Sequence, residues 1–393
     1  MTEPPADAHA VPLPMPPVPA AKSRAAGLLR VLAFGVGGGF VGYLAASLGL
    51  DWLDGATDGL RGAGWLGPLI GTIVGVPLAV VLHELGHVAG GRLAGFRFEL
   101  LVVGPVRVRR GERGLRWELN RRGGLWGGLA LCVPTAADPP ALGRVLFIAG
   151  GPAASVLATA ALWGLAAGLP DAAPAGARAG VAAAGLMNAA VALASLVPSA
   201  AGGFQSDGRR LLTLLAGGAA ARREAAVWRV TAADILGARP RDWPEDALAA
   251  GLEPDDGSPM AWAARGLCRT AAEDRGDRAA TRRWLEEEIR RLPHVSPAVH
   301  AGTALAAMRY EAGVRRDPAA AELWRAKTAG GLAVPAAEPP LTDAVVFFAK
   351  GDSEAAREAV AKAEAAGADG ALGAGTAAAL RDRLQELKAK LAA

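Results

Sequence analysis

Cysteine is almost missing from this 393-residue chain: Cys132 and Cys268 are the only two, and they lie far apart in regions of different character, which argues against a disulfide framework. Aromatic residues make up 5% and charged residues 20%, against 52% hydrophobic, a balance that sits oddly for a soluble protein. The net charge of +4 comes with no recognition-helix or base-stacking motif, so no nucleic acid partner is expected. Histidine is scarce as well, with five in the whole chain.

What is present is a set of long apolar runs confined to the first half. Four stretches, 25–50, 66–93, 142–169 and 177–198, each reach the roughly 20 apolar residues that a helix needs to cross a bilayer core. Residues 1–24 are rich in Pro and Ala with no core pattern and read as a disordered tail. The apolar run after Lys22, Ser23 and Arg24 is too long and starts too late for a signal peptide, so it reads as a retained anchor. Residues 25–217 are therefore expected to form a membrane domain, and 218–393, charged and alanine-rich, a soluble helical one. The fold class expected is an all-α polytopic membrane protein with about four transmembrane helices, a small β-hairpin insert and a helical, repeat-like C-terminal domain.

Lysine and arginine are retained on the cytoplasmic side of a membrane, which orients the chain. Lys22, Arg24 and Arg30 flank the first run, whereas Asp51, Asp54 and Asp58 follow it with Arg61 alone. Arginines then crowd between Arg92 and Arg144, and Arg209 and Arg210 follow the fourth run. One topology satisfies every loop, with the N-terminus and the C-terminal domain both cytoplasmic in a cell membrane. The Ala, Gly and Arg usage suggests a GC-rich bacterial genome.

The basic loop has strand texture. Phe96, Phe98, Leu100 and Val102 alternate with other residues, Val106 and Val108 with Arg107 and Arg109, and Leu115, Trp117 and Leu119 with Arg116 and Glu118. A small β-insert over about 96–122 at the membrane surface is predicted. Beyond Gly218 the pattern is helical, with Asp277, Asp317 and Asp352 opening alanine-rich runs at a spacing of about 35 to 40 residues, as in stacked helix pairs; a plain bundle fits nearly as well. Such a domain offers a surface for a protein partner.

His83-Glu84-Leu85-Gly86-His87 lies inside the second apolar run. Two histidines at i and i+4 project from one helix face and can bind one Zn²⁺, while the intervening Glu84 can reach the metal's water and act as general base. Ionisable residues deep in an apolar span are costly and mark a functional site. A catalytic zinc needs a third protein ligand. Asp207, just after the fourth run, is either that ligand or the cap of the helix that follows, and spacing alone does not separate the two.

The same residues resemble a known family. An intramembrane H-E-x-x-H, then Ala149-Gly150-Gly151-Pro152-Ala153-Ala154-Ser155 in the third run, then Ser195-Leu196-Val197-Pro198 leading to Asp207-Gly208, is similar to the site-2 proteases over about Leu66 to Leu215. The resemblance implies a zinc metallopeptidase that hydrolyses peptide bonds in or near the span of a single-span membrane substrate. It implies His83, His87 and Asp207 as zinc ligands and Glu84 as the general base. It gives substrate-binding roles to Ser155 and Ser195, which stand where the family commonly has asparagine, with Asn188 as a substitute, and it has the substrate add as a strand to a sheet edge. The rival readings are a catalytically silent membrane adaptor acting through its C-terminal helices and a metal transporter. The transporter would call for more polar residues in the first and third runs.

Overall fold

The computed structural model describes residues 11–15, 66–111, 114–119, 128–136, 140–170, 172–201, 204–295, 299–328, 334–367 and 373–393. The first expected span, 25–50, lies outside the described residues.

Three helices among the described residues are long and apolar enough to cross a membrane: α1 (Leu66–Leu93), α2 (Ala141–Gly168) and α3 (Ala175–Leu196). The 28 residues of α1 rise about 42 Å, more than a hydrocarbon core of about 30 Å. Their burial is inverted relative to a soluble bundle. On α1 the buried residues are Gly71, Gly75, Ala79, His83, Glu84, Gly86, His87, Gly90 and Gly91, while Leu69, Ile70, Ile73 and Val74 face outward. Small residues inside and branched apolar residues outside are what lipid as a solvent selects, because close backbone approach is the main source of helix–helix attraction there. A Cβ on Gly67 or Gly71 would stand 2.2 or 2.1 Å from the carbonyl oxygen of Gly176 or Gly180 on α3. The α1–α3 seam therefore depends on glycine at one-turn intervals.

The insert between α1 and α2 is a four-stranded antiparallel sheet, larger than the hairpin expected. Its strands β1 (Phe96–Val103), β2 (Val106–Gly111), β3 (Gly114–Leu119) and β4 (Gly128–Pro134) lie in the order β3-β2-β1-β4. The predicted strands 96–122 correspond to β1, β2 and β3. β4, beyond the predicted limit, returns to pair with β1, Leu101 facing Ala130 and Phe96 facing Pro134. Among the described residues β4 is thus a sheet edge, and it lies against α1. On the opposite edge, Leu115, Trp117 and Leu119 of β3 share one strand face and are all exposed.

After α3 a two-residue pairing of β5 (Ala200–Ala201) with β6 (Phe204–Gln205) reverses the chain into α4 (Asp207–Ala216). Then α5 (Gly218–Ile235) opens a helical domain comprising α6 (Glu245–Gly251), α7 (Pro259–Arg275), α8 (Arg278–Arg291), α9 (His300–Arg309), α10 (Pro318–Arg325), α11 (Glu338–Ala349), α12 (Ser353–Ala366) and α13 (Ala374–Ala392). The three predicted starts are N-caps: Asp277, Asp317 and Asp352 accept from the backbone N–H groups of Ala280, Ala320 and Ala355 at 2.9, 2.9 and 3.0 Å. Each such cap stabilises its helix by about 1 kcal/mol.

This domain meets the membrane helices through Trp228 of α5, whose ring lies 5.4 Å from Phe96 and 5.7 Å from Phe147, centroid to centroid. It also carries five residues of the N-terminal tail. Leu13, 4% exposed, belongs to the buried cluster of Leu285, Ile289 and Trp324, so the tail read as disordered contains an ordered anchor at Val11–Met15. A composition-based reading finds no core pattern in that segment because Leu13 is buried in the core of another domain.

Candidate metal centre

His83 and His87 project from one face of α1 into the gap between α1, α2 and the start of α4. Both are 7% exposed, as is Glu84. Their Nε2 atoms are 3.2 Å apart. Asp207 Oδ2 lies 3.1 Å from His83 Nε2 and 3.4 Å from His87 Nε2. Among the described residues this is the group of His, Cys, Asp and Glu side chains placed to hold a metal ion.

Two local features bring Asp207 there. Ser206, not Asp207, caps α4: its Oγ accepts from the Arg209 N–H at 3.3 Å and from the Ser199 N–H at 3.0 Å, and donates to the Val197 carbonyl at 2.8 Å. The capping alternative for Asp207 is thereby taken by its neighbour, and the Asp207 carboxylate is left to face the histidines. The following glycine is a steric requirement, because a Cβ on Gly208 would stand 1.8 Å from the Leu196 carbonyl oxygen at the end of α3.

The outer nitrogens are also engaged. His87 Nδ1 lies 2.9 Å from the Phe147 carbonyl oxygen. A carbonyl can only accept, so Nδ1 carries the proton and, in the neutral ring, the lone pair of Nε2 faces inward. His83 Nδ1 lies 3.0 Å from Ser155 Oγ. Partners on the outer nitrogens are the usual device for orienting metal-ligating histidines.

The donor spacing tests the fit to zinc. Bonds of about 2.05 Å at tetrahedral angles put ligand atoms about 3.3 Å apart. The three observed separations are 3.2, 3.1 and 3.4 Å. One imidazole pair and one carboxylate is also a donor set that zinc takes in catalytic sites, with a position left open.

The remaining site residues are distributed unevenly. Ser155 is fully buried, with its Oγ against the outer nitrogen of the His83 imidazole. Asn188 is fully buried in α3, and its Nδ2 donates to the Ala184 carbonyl of the same helix at 3.0 Å. Ser195 Oγ donates to the Ala192 carbonyl, again within α3, at 3.0 Å. Neither Asn188 nor Ser195 is joined to the three-residue cluster by a hydrogen bond. Sequence reasoning passed over β4 altogether. A Cβ on its Gly128 would stand 2.1 Å from Glu84 Oε1 and 2.3 Å from Glu84 Cγ. The carboxylate of Glu84 is thus packed against the sheet edge. The only signal for this in the sequence is a glycine before an apolar run, which ordinarily reads as a turn.

No family model, characterised protein or solved structure matches the chain. The functional reading rests on the residues and their geometry.

Proposed function

We propose that this protein is an intramembrane zinc metalloprotease of the site-2 protease type, cutting a peptide bond in or beside the membrane span of a substrate protein. The observation that carries the reading is the equal spacing of His83 Nε2, His87 Nε2 and Asp207 Oδ2 at the edge length of a tetrahedral zinc site, buried between helices that are apolar outside and small or polar inside.

When bound, zinc supplies Lewis acidity and lowers the pKa of a water toward about 7. His83, His87 and Asp207 would hold it. Ser155 and the Phe147 carbonyl keep the two imidazoles oriented from behind. Glu84, next to His83 in sequence and packed against β4 at Gly128, takes the water proton on its carboxylate and returns it to the nitrogen of the leaving amine. The hydrophobic walls exclude bulk water and strengthen these charge interactions.

A helical substrate must be unwound first, because its carbonyls are already bonded and shielded. Among the described residues no strand pairs with the side of β4 away from β1, which offers main-chain donors and acceptors to an extended segment, and β4 passes Glu84 at Gly128. Strand addition there brings a peptide bond beside the general base. The exposed Leu115, Trp117 and Leu119 suit a sheet that rests on the lipid interface. His87 is six residues from the end of α1, about 9 Å along the axis, on the side of the sheet and the helical domain. Cleavage on this reading releases a fragment to the cytoplasm.

The seating of Leu13 on the helical domain supports a common side for the tail and that domain.

Elemental analysis tests the proposal. Wild-type protein and Glu84→Gln are expected to hold one zinc per chain, His83→Ala and Asp207→Ala to lose it, and Glu84→Gln to lose cleavage of a membrane-span substrate. Absence of zinc in the wild type, or zinc retained by His83→Ala, would sink it and leave the adaptor reading.

A further inference from the structure

The metal centre makes no use of the docked tail or of the groove that holds it. In Val11-Pro12-Leu13-Pro14-Met15 only Leu13 is buried, and its four neighbours are exposed. The Leu13 N–H donates to Glu311 Oε1 at 2.7 Å, and Arg282 Nη1 donates to the Val11 carbonyl at 2.7 Å. Pro12 and Pro14 have no N–H, so the Leu13 N–H is the one main-chain donor between them, and it is the one the groove reads. Each proline also pushes the residue before it, Val11 or Leu13, into an extended conformation. The segment is therefore close to its bound shape before it binds, and little ordering entropy opposes docking.

The groove is built around a charge that the helical domain itself has little use for. Glu311 is fully buried, and its second oxygen pairs with Arg315. A buried ion pair is a costly way to fill a core, and apolar residues of similar size serve stability as well or better. Glu311 lies in a π-helical turn, Tyr310–Val314, that interrupts the run from α9, and such turns concentrate at functional positions. Leu13 itself joins the buried cluster that contains Leu285, Ile289 and Trp324. A carboxylate for a main-chain N–H, an arginine for a main-chain carbonyl and a pocket for one side chain are the parts of a peptide-recognition site.

We propose that this groove is a recognition site for an extended, proline-flanked leucine segment, filled in cis by Val11–Met15 and open in trans to another protein carrying a segment of the same chemistry. The inference stands apart from the metal centre. A segment tethered in the same chain acts at an effective concentration of about 1 mM, so a free peptide of about 10 µM affinity binds about 100-fold more weakly while the tail is seated.

The test is fluorescence anisotropy on the full-length protein with a labelled peptide of residues 9–17. Leu13→Asp unseats the tail, and this variant is expected to bind the peptide about 100-fold more tightly than the wild type. Adding Arg282→Ala to Leu13→Asp should weaken binding at least about tenfold, and a peptide with Asp in place of its leucine should not bind. Equal affinity for wild type and Leu13→Asp, no binding to Leu13→Asp, indifference to Arg282→Ala, or equal binding of the Asp-bearing peptide would each overturn the proposal.

Discussion

Replacing Ser155 by alanine separates two roles that one serine can have at such a centre. Ser155 is fully buried and its Oγ is 3.0 Å from His83 Nδ1, so no water can take its place in the variant. His83 then keeps its position only through α1, with a buried ring nitrogen unpartnered, at a cost of about 1–3 kcal/mol. Loss of an outer partner of a metal-bound histidine typically lowers metal affinity 10- to 100-fold, or about 1.4 to 2.7 kcal/mol. The two routes give the same size. Zinc affinity, measured by competition with a chromogenic chelator, is therefore expected to fall 10- to 100-fold in Ser155→Ala, with KM for a membrane-span substrate nearly unchanged once zinc is saturating. A zinc affinity within twofold of wild type together with a raised KM would refute the reasoning and return Ser155 to the substrate contact that the family resemblance implies.

Gly128→Val should leave zinc bound but remove proteolysis, because the new Cβ occupies the space of Glu84 Oε1, Cδ and Cγ and forces that side chain to another rotamer; retained activity would count against Glu84 as the base. Gly71→Leu should lower the thermal stability of detergent-solubilised protein by about 1–3 kcal/mol or more, since its Cβ meets the Gly180 backbone at 2.1 Å, while Ile70→Leu on the outward face should be neutral. The helical domain should lose stability in acid. Burial would raise Glu273, but Arg269, Arg309 and Arg383 outweigh it and hold it at about 2, so a contribution of about 3 kcal/mol is complete above the usual carboxylate range near pH 4.5 and fades as pH falls toward 2. Glu288 is raised by burial against the pull of Arg269 and acts in the opposite sense; Glu273→Gln should flatten the acid limb of a denaturation-midpoint profile, and an unchanged limb would exclude Glu273 as its source.

Several of the elements that position the site are local and hence legible along the chain. α1 spans the residues expected, because lipid demands an uninterrupted apolar run and the run has clear ends. The i, i+4 histidine pair is fixed within one helical turn, so its geometry follows once the helix is known. Asp277, Asp317 and Asp352 announce their helices because a capping carboxylate acts within three residues. Strand alternation located β1, β2 and β3, whereas β4 begins with glycine and its pairing with β1 is a long-range event.

The chain alone thus determines the candidate membrane helices, two of the three candidate ligands and the position of the candidate general base, because each is set by contacts within a turn or by the solvent a segment can tolerate. Tertiary structure decides the rest. Asp207 joins the cluster from 124 residues away, and it is free to do so because Ser206 has taken the capping role. Ser155 meets the outer nitrogen of His83, Gly128 makes room for Glu84, and Leu13 completes a core on the far side of the sequence. Each of these depends on which surfaces meet, and a glycine, a serine or a leucine carries no mark in sequence of the partner that packing brings to it.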